Sequence, residues 1–545
     1  LLRRCSALIA VFLLSGLLTR TGLATADAAP RAPKTLLPAS ASALPPASGP
    51  LAALLEHAEP TASADTPDWT DRIDARLVAL AAEPRRSSED APSRRLREAV
   101  DAALGELDPR TRAAVEIREL GSAQVLAAHE PGRALNPASN QKLVSAIAAA
   151  ELLGPDYRFQ TSVLRRGDAL ILRGEGDPDL HVADLHALVD ELLAEPGALE
   201  GVRRVLVDDH AFSDRRLGPG FSAEGCGDSY IAPSGALALD YATLEITLRP
   251  GRYRGPVEVE VSPTPAGLGE GERAEGIVEL VNTARTESGR PRVCTEAGEG
   301  GRTRVRVEGA LPAGHAPMTL RRRVADPGLL AGGVFAQLLA ERSEGPALPV
   351  ARAALPAQPG EDTRLLATHE SAPLIAALAS ALRYSNNFTA EQVLRTLAWR
   401  ASGRPGSWAE GARVLERFAA AVSVHAGDQR MINGSGLSRE GRLTPRFVLD
   451  VLALCRRPGS PAALLLASFA EAGGEGTLRN RNPVAGPRLL AKTGTYAGAS
   501  SLSGLVYDST GARALSFSVL LNGGDLERNR AAQDRIVAAM LRALD

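Results

Sequence analysis

A chain of 545 residues has room for three or four domains of ~150 residues, so core size does not limit it. Its 62 Lys and Arg against 64 Asp and Glu leave a formal charge of -2, which disfavours a polyanion-binding protein and gives no general attraction to nucleic acid or an anionic membrane surface. Hydrophobic residues at 44% with aromatics at only 4% describe a globular fold with a small-aliphatic core, not a disordered chain.

The chain opens with Arg3 and Arg4, an apolar stretch from Ala7 to Leu18, and small residues around Ala24-Thr25-Ala26 and Ala28. That tripartite pattern predicts a secretory signal over 1–26 and an exported, periplasmic or cell-envelope protein. The apolar stretch is shorter than the ~20 residues a span prefers, so membrane contact is expected only through the signal segment if it is retained. Residues 27–67 are Ala/Pro/Ser-rich, with Pro38, Pro45, Pro46 and Pro50 breaking any periodicity, and read as a linker. A helical extension is expected over 68–93, and a second helical pattern follows with Leu96, Val100, Ala103 and Leu104 at helical spacing. Cys5 falls in the signal, leaving Cys226, Cys294 and Cys455. The first two can pair in an oxidising compartment, although spacing alone does not show that they do, and no Cys/His spacing suggests a metal site.

The apolar runs within 114–128 around Gly121-Ser122 predict a hairpin. Residues 158–357 carry short β-like runs, among them Arg203 to Val207, Leu244 to Leu248 and Val257 to Val261, and are expected to form inserted β-rich domains. After His369 helical patterns return, followed by strands at Leu489 to Gly494, Ser501 to Tyr507 and Ala514 to Leu521 and a closing helix from Glu527 to Leu544. The fold class expected is α/β (α+β), a sheet flanked by helices built from 94–157 and 358–545.

Three short motifs bear on chemistry. In Asn136-Pro137-Ala138-Ser139-Asn140-Gln141-Lys142, Asn136 as N-cap and Pro137 at the first helical position place Ser139 in a first helical turn, with Lys142 on the same face. A serine hydroxyl becomes a useful nucleophile only when a base takes its proton, and a lysine can serve only where burial or a second cation favours its neutral form. Alone, Ser-x-x-Lys is common on solvated helix faces. Ser385-Asn386-Asn387 precedes a helix with Thr389 and Gln392 as a capping-box pair, so Ser385 can relay a proton and Asn387 can hold substrate and lysine, or the triplet can be a polar turn. Lys492-Thr493-Gly494-Thr495 ends an apolar run at a strand edge. There Lys492 would add a second positive charge and attract a carboxylate, Gly494 permits close approach, and Thr493 and Thr495 offer hydroxyls. The three motifs in this order form a described catalytic pattern.

The longer segments NPASNQKLVSAIAAAELLGPDYRFQT, THESAPLIAALASALRYSNNFTAEQVL, INGSGLSRE and AKTGTYAGASSLSGLVYD resemble the class C low-molecular-mass penicillin-binding proteins, the D-alanyl-D-alanine carboxypeptidase/endopeptidase family, from about residue 94 to the C-terminus. The resemblance implies a β-lactamase/transpeptidase-like sheet and inserted domains between the first two motifs. It also implies Ser139 as acylated nucleophile, Lys142 as base, Ser385, Asn387 and Lys492 as further catalytic residues, and Thr493, Gly494 and Thr495 as substrate-binding ones. The amides of Ser139 and Thr495 would form the oxyanion hole. No metal or cofactor is implied; the partners are peptidoglycan stem peptides and β-lactams. Three residues depart from the pattern, Asn433 and Glu475 where Asp is usual and Asp240 where Asn is more familiar. The alternatives are a β-lactamase, which must deacylate quickly, and a non-catalytic wall-binding or sensor protein that keeps the cleft without turnover.

Overall fold

The computed structural model describes residues 69–82, 94–120, 122–271, 276–353, 360, 362–481 and 485–545. The signal at 1–26, the linker at 27–67, and residues 68 and 83–93 of the helical extension lie outside these.

Six antiparallel strands form the central sheet in the spatial order Ala470–Glu471, Leu489–Tyr496, Ala499–Tyr507, Ala514–Asn522, Arg112–Glu119 and Val125–His129. The strand after the helix Arg94–Gly105 therefore pairs with the last strand of the chain, Arg112 opposite Asn522 and Glu119 opposite Leu515. Successive side chains on a strand point to opposite faces, and here the two faces differ in chemistry. Leu502, Val506, Phe517 and Val519 pack with Val115 and Ile117 under the helices Arg94–Gly105 and Leu526–Leu544, through Leu96, Val100, Ile536 and Met540. The other face carries a cross-strand row of Lys492, Ser503, Ser518 and Glu116. A polar row under a helix layer needs internal partners, and the Ser503 and Ser518 hydroxyls accordingly share a hydrogen bond at 2.9 Å.

The helix Gln141–Leu153 lies in that second helix layer and is buried at every one of its 13 positions. Small residues make this possible: Ala146, Ala148, Ala149 and Ala150 let the helices Leu374–Arg383, Asn387–Ser402, Trp408–Val422 and Pro445–Ala453 pack into one core with it. The helix Trp69–Ala82 adds Ile73, Leu77 and Leu80 to the same core. Its Arg76 pairs with Glu151, whose carboxylate is wholly inaccessible and also takes hydrogen bonds from Ser460 Oγ and the Ala462 amide. Replacing Arg76 with Ala leaves this buried charge short of one partner, and denaturant unfolding is expected to show a loss of about 2 kcal/mol; an unchanged midpoint would show that the ion pair adds nothing.

Residues 158–353 hold three further sheets, with strand orders (Val350–Arg352, Arg204–Asp208, Ala169–Gly174, Gln160–Arg166, Thr363–Glu370), (Met318–Arg323, Thr243–Arg249, Glu258–Ser262) and (Pro291–Ala297, Thr303–Gly309, Val278–Asn282, Leu268–Glu270). The first of these takes Thr363–Glu370 from beyond residue 357, paired antiparallel with Gln160–Arg166. One apolar core joins the three, with Val205, Leu239, Leu244, Val307 and Phe335 among its members. Cys226 and Cys294 are joined in a disulfide and Cys455 is a buried free thiol. Among the described residues, no helix is long and apolar enough to cross a membrane.

Candidate active site

The turn bearing Ser139 is fixed before its chemistry begins. Asn136 Oδ1 accepts from the Ala138 amide at 2.8 Å, its Nδ2 donates to the Ser438 carbonyl at 2.8 Å, and its backbone exchanges hydrogen bonds with the Asn522 side chain. Ala138 is thereby held left-handed at φ 45°, an unusual conformation for a residue with a Cβ. Ser139 sits in a single 3-10 turn, Ala138–Asn140, and the α-helix proper starts at Gln141. The expectation of Ser139 inside the first α-helical turn is corrected to this extent: Asn136 caps Ala138, so the chain turns once before the α-helix begins.

Lys142 lies on the first turn of that helix, fully buried, and its Nζ donates to Ser139 Oγ at 2.9 Å, Asn387 Oδ1 at 2.7 Å and the Ser435 carbonyl at 3.0 Å. Burial pushes its amine from the ordinary lysine range down to about 7, against the opposing pull of Glu391. Lys492 is buried too, and its Nζ donates to the Thr493 carbonyl at 2.8 Å. Burial lowers its proton affinity well below the usual value, and the nearby Lys142 lowers it further. The sequence reading offered burial or a second cation as the means of keeping Lys142 neutral, and the structure places burial first. An arriving anion would favour the charged form of Lys492.

Gly494 explains how two distant segments meet. A Cβ there would lie 2.1 Å from Ser501 Oγ and 2.9 Å from both the Pro137 carbonyl and the Ser139 amide, so any side chain would push the strand away from the Ser139 turn. Ser501 Oγ donates to the Pro137 carbonyl at 2.6 Å. Thr493 lies in mid-strand opposite Leu502, and the exposed Thr495 hydroxyl accepts from Arg530 at 3.5 Å.

The Ser385-Asn386-Asn387 motif joins helix Leu374–Arg383 to helix Asn387–Ser402, of which Asn387 is the first residue. Ser385 is left-handed, φ 63°, and half-buried. Asn386 caps the second helix, its Oδ1 accepting from the Thr389 amide at 3.2 Å. The expected Thr389/Gln392 capping box is therefore wrong: Gln392 is buried and instead binds Ser234 Oγ at 2.5 Å and the Gly235 carbonyl at 2.9 Å. Asn387, besides accepting from Lys142, donates from Nδ2 to the Tyr230 carbonyl at 2.9 Å.

Two residues that sequence reasoning passed over complete the site. Asn140, fully buried, inserts its amide between Lys492 and the Ser501/Ser503 pair; oriented to satisfy both ends, it donates to the Lys492 carbonyl at 2.9 Å and accepts from Ser503 Oγ at 2.6 Å. Glu391 accepts from the Gly434 and Ser435 amides at 3.0 and 2.9 Å and from Trp408 Nε1 at 2.7 Å, and so fixes the loop whose Ser435 carbonyl receives Lys142. A legible signal existed for the second: Phe388, Glu391, Gln392 and Arg395 follow the spacing of a buried helix face, and polar residues there must have buried partners.

The three departures also have partners. Asn433 Nδ2 donates to the Pro219 and Leu437 carbonyls at 2.8 and 3.2 Å, and its Oδ1 accepts from the Gly436 amide. Glu475 accepts from the Tyr384 hydroxyl at 2.6 Å, and Asp240 lies 2.7 Å from His181 Nδ1. A carboxylate at 433 could not donate, so Asn433→Asp is expected to lower stability by about 2 kcal/mol in denaturant unfolding at neutral pH. An equally stable variant would show that the two carbonyls find other partners.

The sequence matches the model of the D-Ala-D-Ala carboxypeptidase 3 (S13) family over residues 96–543. The chain belongs to that family. It is 33% identical over 475 residues to a D-alanyl-D-alanine carboxypeptidase of Actinomadura sp. (strain R39), covering 82% of this chain and 84% of the relative. It is 26% identical over 436 residues to the D-alanyl-D-alanine carboxypeptidase DacB of Haemophilus influenzae, covering 75% and 86%. The crystal structure of penicillin binding protein 4 (dacB) from Haemophilus influenzae superposes with a TM-score of 0.66 at 24% identity, over 82% of this chain and 99% of that one, and shows the same fold.

Proposed function

We propose that the protein is a serine D-alanyl-D-alanine carboxypeptidase, able also to act as an endopeptidase, that works on peptidoglycan stem peptides through an acyl-enzyme on Ser139. The observation that carries this reading is the contact between a buried amine held near neutrality and a serine hydroxyl 2.9 Å away. Neutral Lys142 takes the Ser139 proton as Oγ bonds to the penultimate carbonyl carbon. The Ser139 and Thr495 amides face the developing oxyanion, a role supported by the close approach of the Gly494 strand to the Ser139 amide. The C–N bond then breaks, the leaving D-alanine takes a proton from Lys142 with Ser385 as relay, and water cleaves the ester. Lys492, Thr493 and Gly494 form the subsite for the terminal carboxylate. Binding there favours the ammonium form of Lys492, which in turn favours neutral Lys142.

The family match and the carboxypeptidase relatives support the substrate class. A penicillin binding protein 4 of the same fold has been solved with a β-lactam bound, which fits acylation of this chain by the same class of compound. Export is supported by the tripartite N-terminus and by the Cys226–Cys294 disulfide, a bond characteristic of oxidising compartments. Incubation with a synthetic peptide ending in D-alanyl-D-alanine is expected to release free D-alanine, and a cross-linked muropeptide dimer to be cut to monomers. A folded protein that is acylated by penicillin yet releases neither product would be a sensor. One that turns over a chromogenic β-lactam rapidly would be a β-lactamase.

A further inference from the structure

Asn387 can hold Lys142 only if its amide oxygen, not its nitrogen, faces the lysine, and nothing within its own motif forces that choice. The partner that does is the Tyr230 carbonyl, which belongs to the β-rich region and accepts from Asn387 Nδ2 at 2.9 Å. A carbonyl can only accept, so its presence turns the nitrogen toward itself and the oxygen toward Lys142.

Around Tyr230 the segment from Ser222 to Gly235 is held from two sides. On the helix side, Gln392 binds Ser234 and Gly235, and fully buried Arg395 donates to the Ser234 carbonyl at 3.0 Å. On the other side, Arg323 donates to the carbonyls of Ser222, Ala223 and Ile231, its backbone amide donates to the Gly227 carbonyl at 2.8 Å, and Cys226 is bonded to Cys294. Gly227 passes so close to Thr295 that a Cβ there would meet its hydroxyl at 1.9 Å. The carbonyl that orients Asn387 lies four positions after the half-cystine Cys226.

We infer that the Ser222–Gly235 segment is a positioning strap for the catalytic site: its Tyr230 carbonyl fixes the amide orientation of Asn387, and the Cys226–Cys294 bond keeps that carbonyl in place. The inference rests on the assignment of Asn387 to the reacting site. The strap acts through Asn387 and needs no contact with substrate. Breaking the bond with a dithiol, which is oxidised to its cyclic disulfide while Cys226 and Cys294 each gain a hydrogen, loosens the strap without touching Ser139 or Lys142.

The test is a two-by-two comparison of acylation rates with a labelled penicillin, in the full chain, followed by intact mass. Cys226→Ser with Cys294→Ser is one change and Asn387→Asp the other, since a carboxylate still accepts from Lys142 but cannot donate to Tyr230. In the native background, loss of the disulfide is expected to slow acylation about tenfold. In the Asn387→Asp background it is expected to slow it less than about twofold, because the link is already gone. Equal slowing in both backgrounds would show general loosening and overturn the inference, as would unchanged acylation on loss of the disulfide in the native background. If the serine pair does not fold, native and Asn387→Asp proteins reduced by the dithiol give the same comparison. No acylation of native, disulfide-bonded protein would instead overturn the functional reading itself.

Discussion

Ser139→Ala is expected to take no covalent label from a penicillin and to release D-alanine at least ~10⁴-fold more slowly than the native protein, since removal of an acylated nucleophile leaves only binding and oxyanion stabilisation. The fold should be indifferent to the change. The turn is held by the Asn136 side chain, by Ser501 against the Pro137 carbonyl and by Asn140 against the 492–503 strands, none of which needs the Ser139 hydroxyl. A thermal midpoint close to that of the native protein, with labelling abolished, is the expected pair of results. Retained labelling would mean that a different nucleophile carries the chemistry.

Lys142→Met is expected to lower the acylation rate by about 10³-fold, the range associated with removal of a positioned base. Methionine fills the same buried channel, so the loss isolates the amine from the packing. The native protein should also show the base directly: the acylation rate is expected to rise with pH through about 7 and then level, because only neutral Lys142 can take the proton. The same group contributes to stability with a definite sign. Its folded value is depressed below the unfolded one, so the folded state binds fewer protons between about 7 and 10.5, and stability gains from this group as pH rises through that window. The burial cost is fully present below about 7, and Lys492, lowered in the same direction, adds to it. In the methionine variant the rate step near 7 should vanish and the stability gradient should flatten. A step that persists would assign it to another group.

The parts of this molecule legible in sequence are those in which local chemistry and tertiary demand agree. The strands at 489–496, 499–507 and 514–522 alternate or run apolar in a way that only a half- or fully buried sheet explains, and the serines at 501, 503, 516 and 518 already mark a small polar face. Ser139 and Lys142 come from one motif and Asn387 from a second, and the distances from Lys142 bring these two together. Gly494 was readable as a place of close approach, but what approaches, the Ser139 amide, was not.

What escaped the sequence depends on contacts between segments far apart in the chain. Thr389 and Gln392 have the spacing of a capping box, yet Gln392 is claimed by Ser234 and Gly235, 157 or more positions away, and Asn386 caps in their place. Asn433 read as a departure from a carboxylate, whereas its buried amide has two carbonyls to satisfy, which a carboxylate cannot do. Spacing does not reveal the burial that depresses Lys142, nor that the same burial depresses Lys492.

The most direct test of the whole account is the location of the acyl group. After brief exposure of the native protein to a β-lactam, proteolysis and tandem mass spectrometry should find one adduct, on Ser139 in the peptide that contains Asn136 to Lys142. An adduct on any other side chain, or none on folded protein, would contradict it.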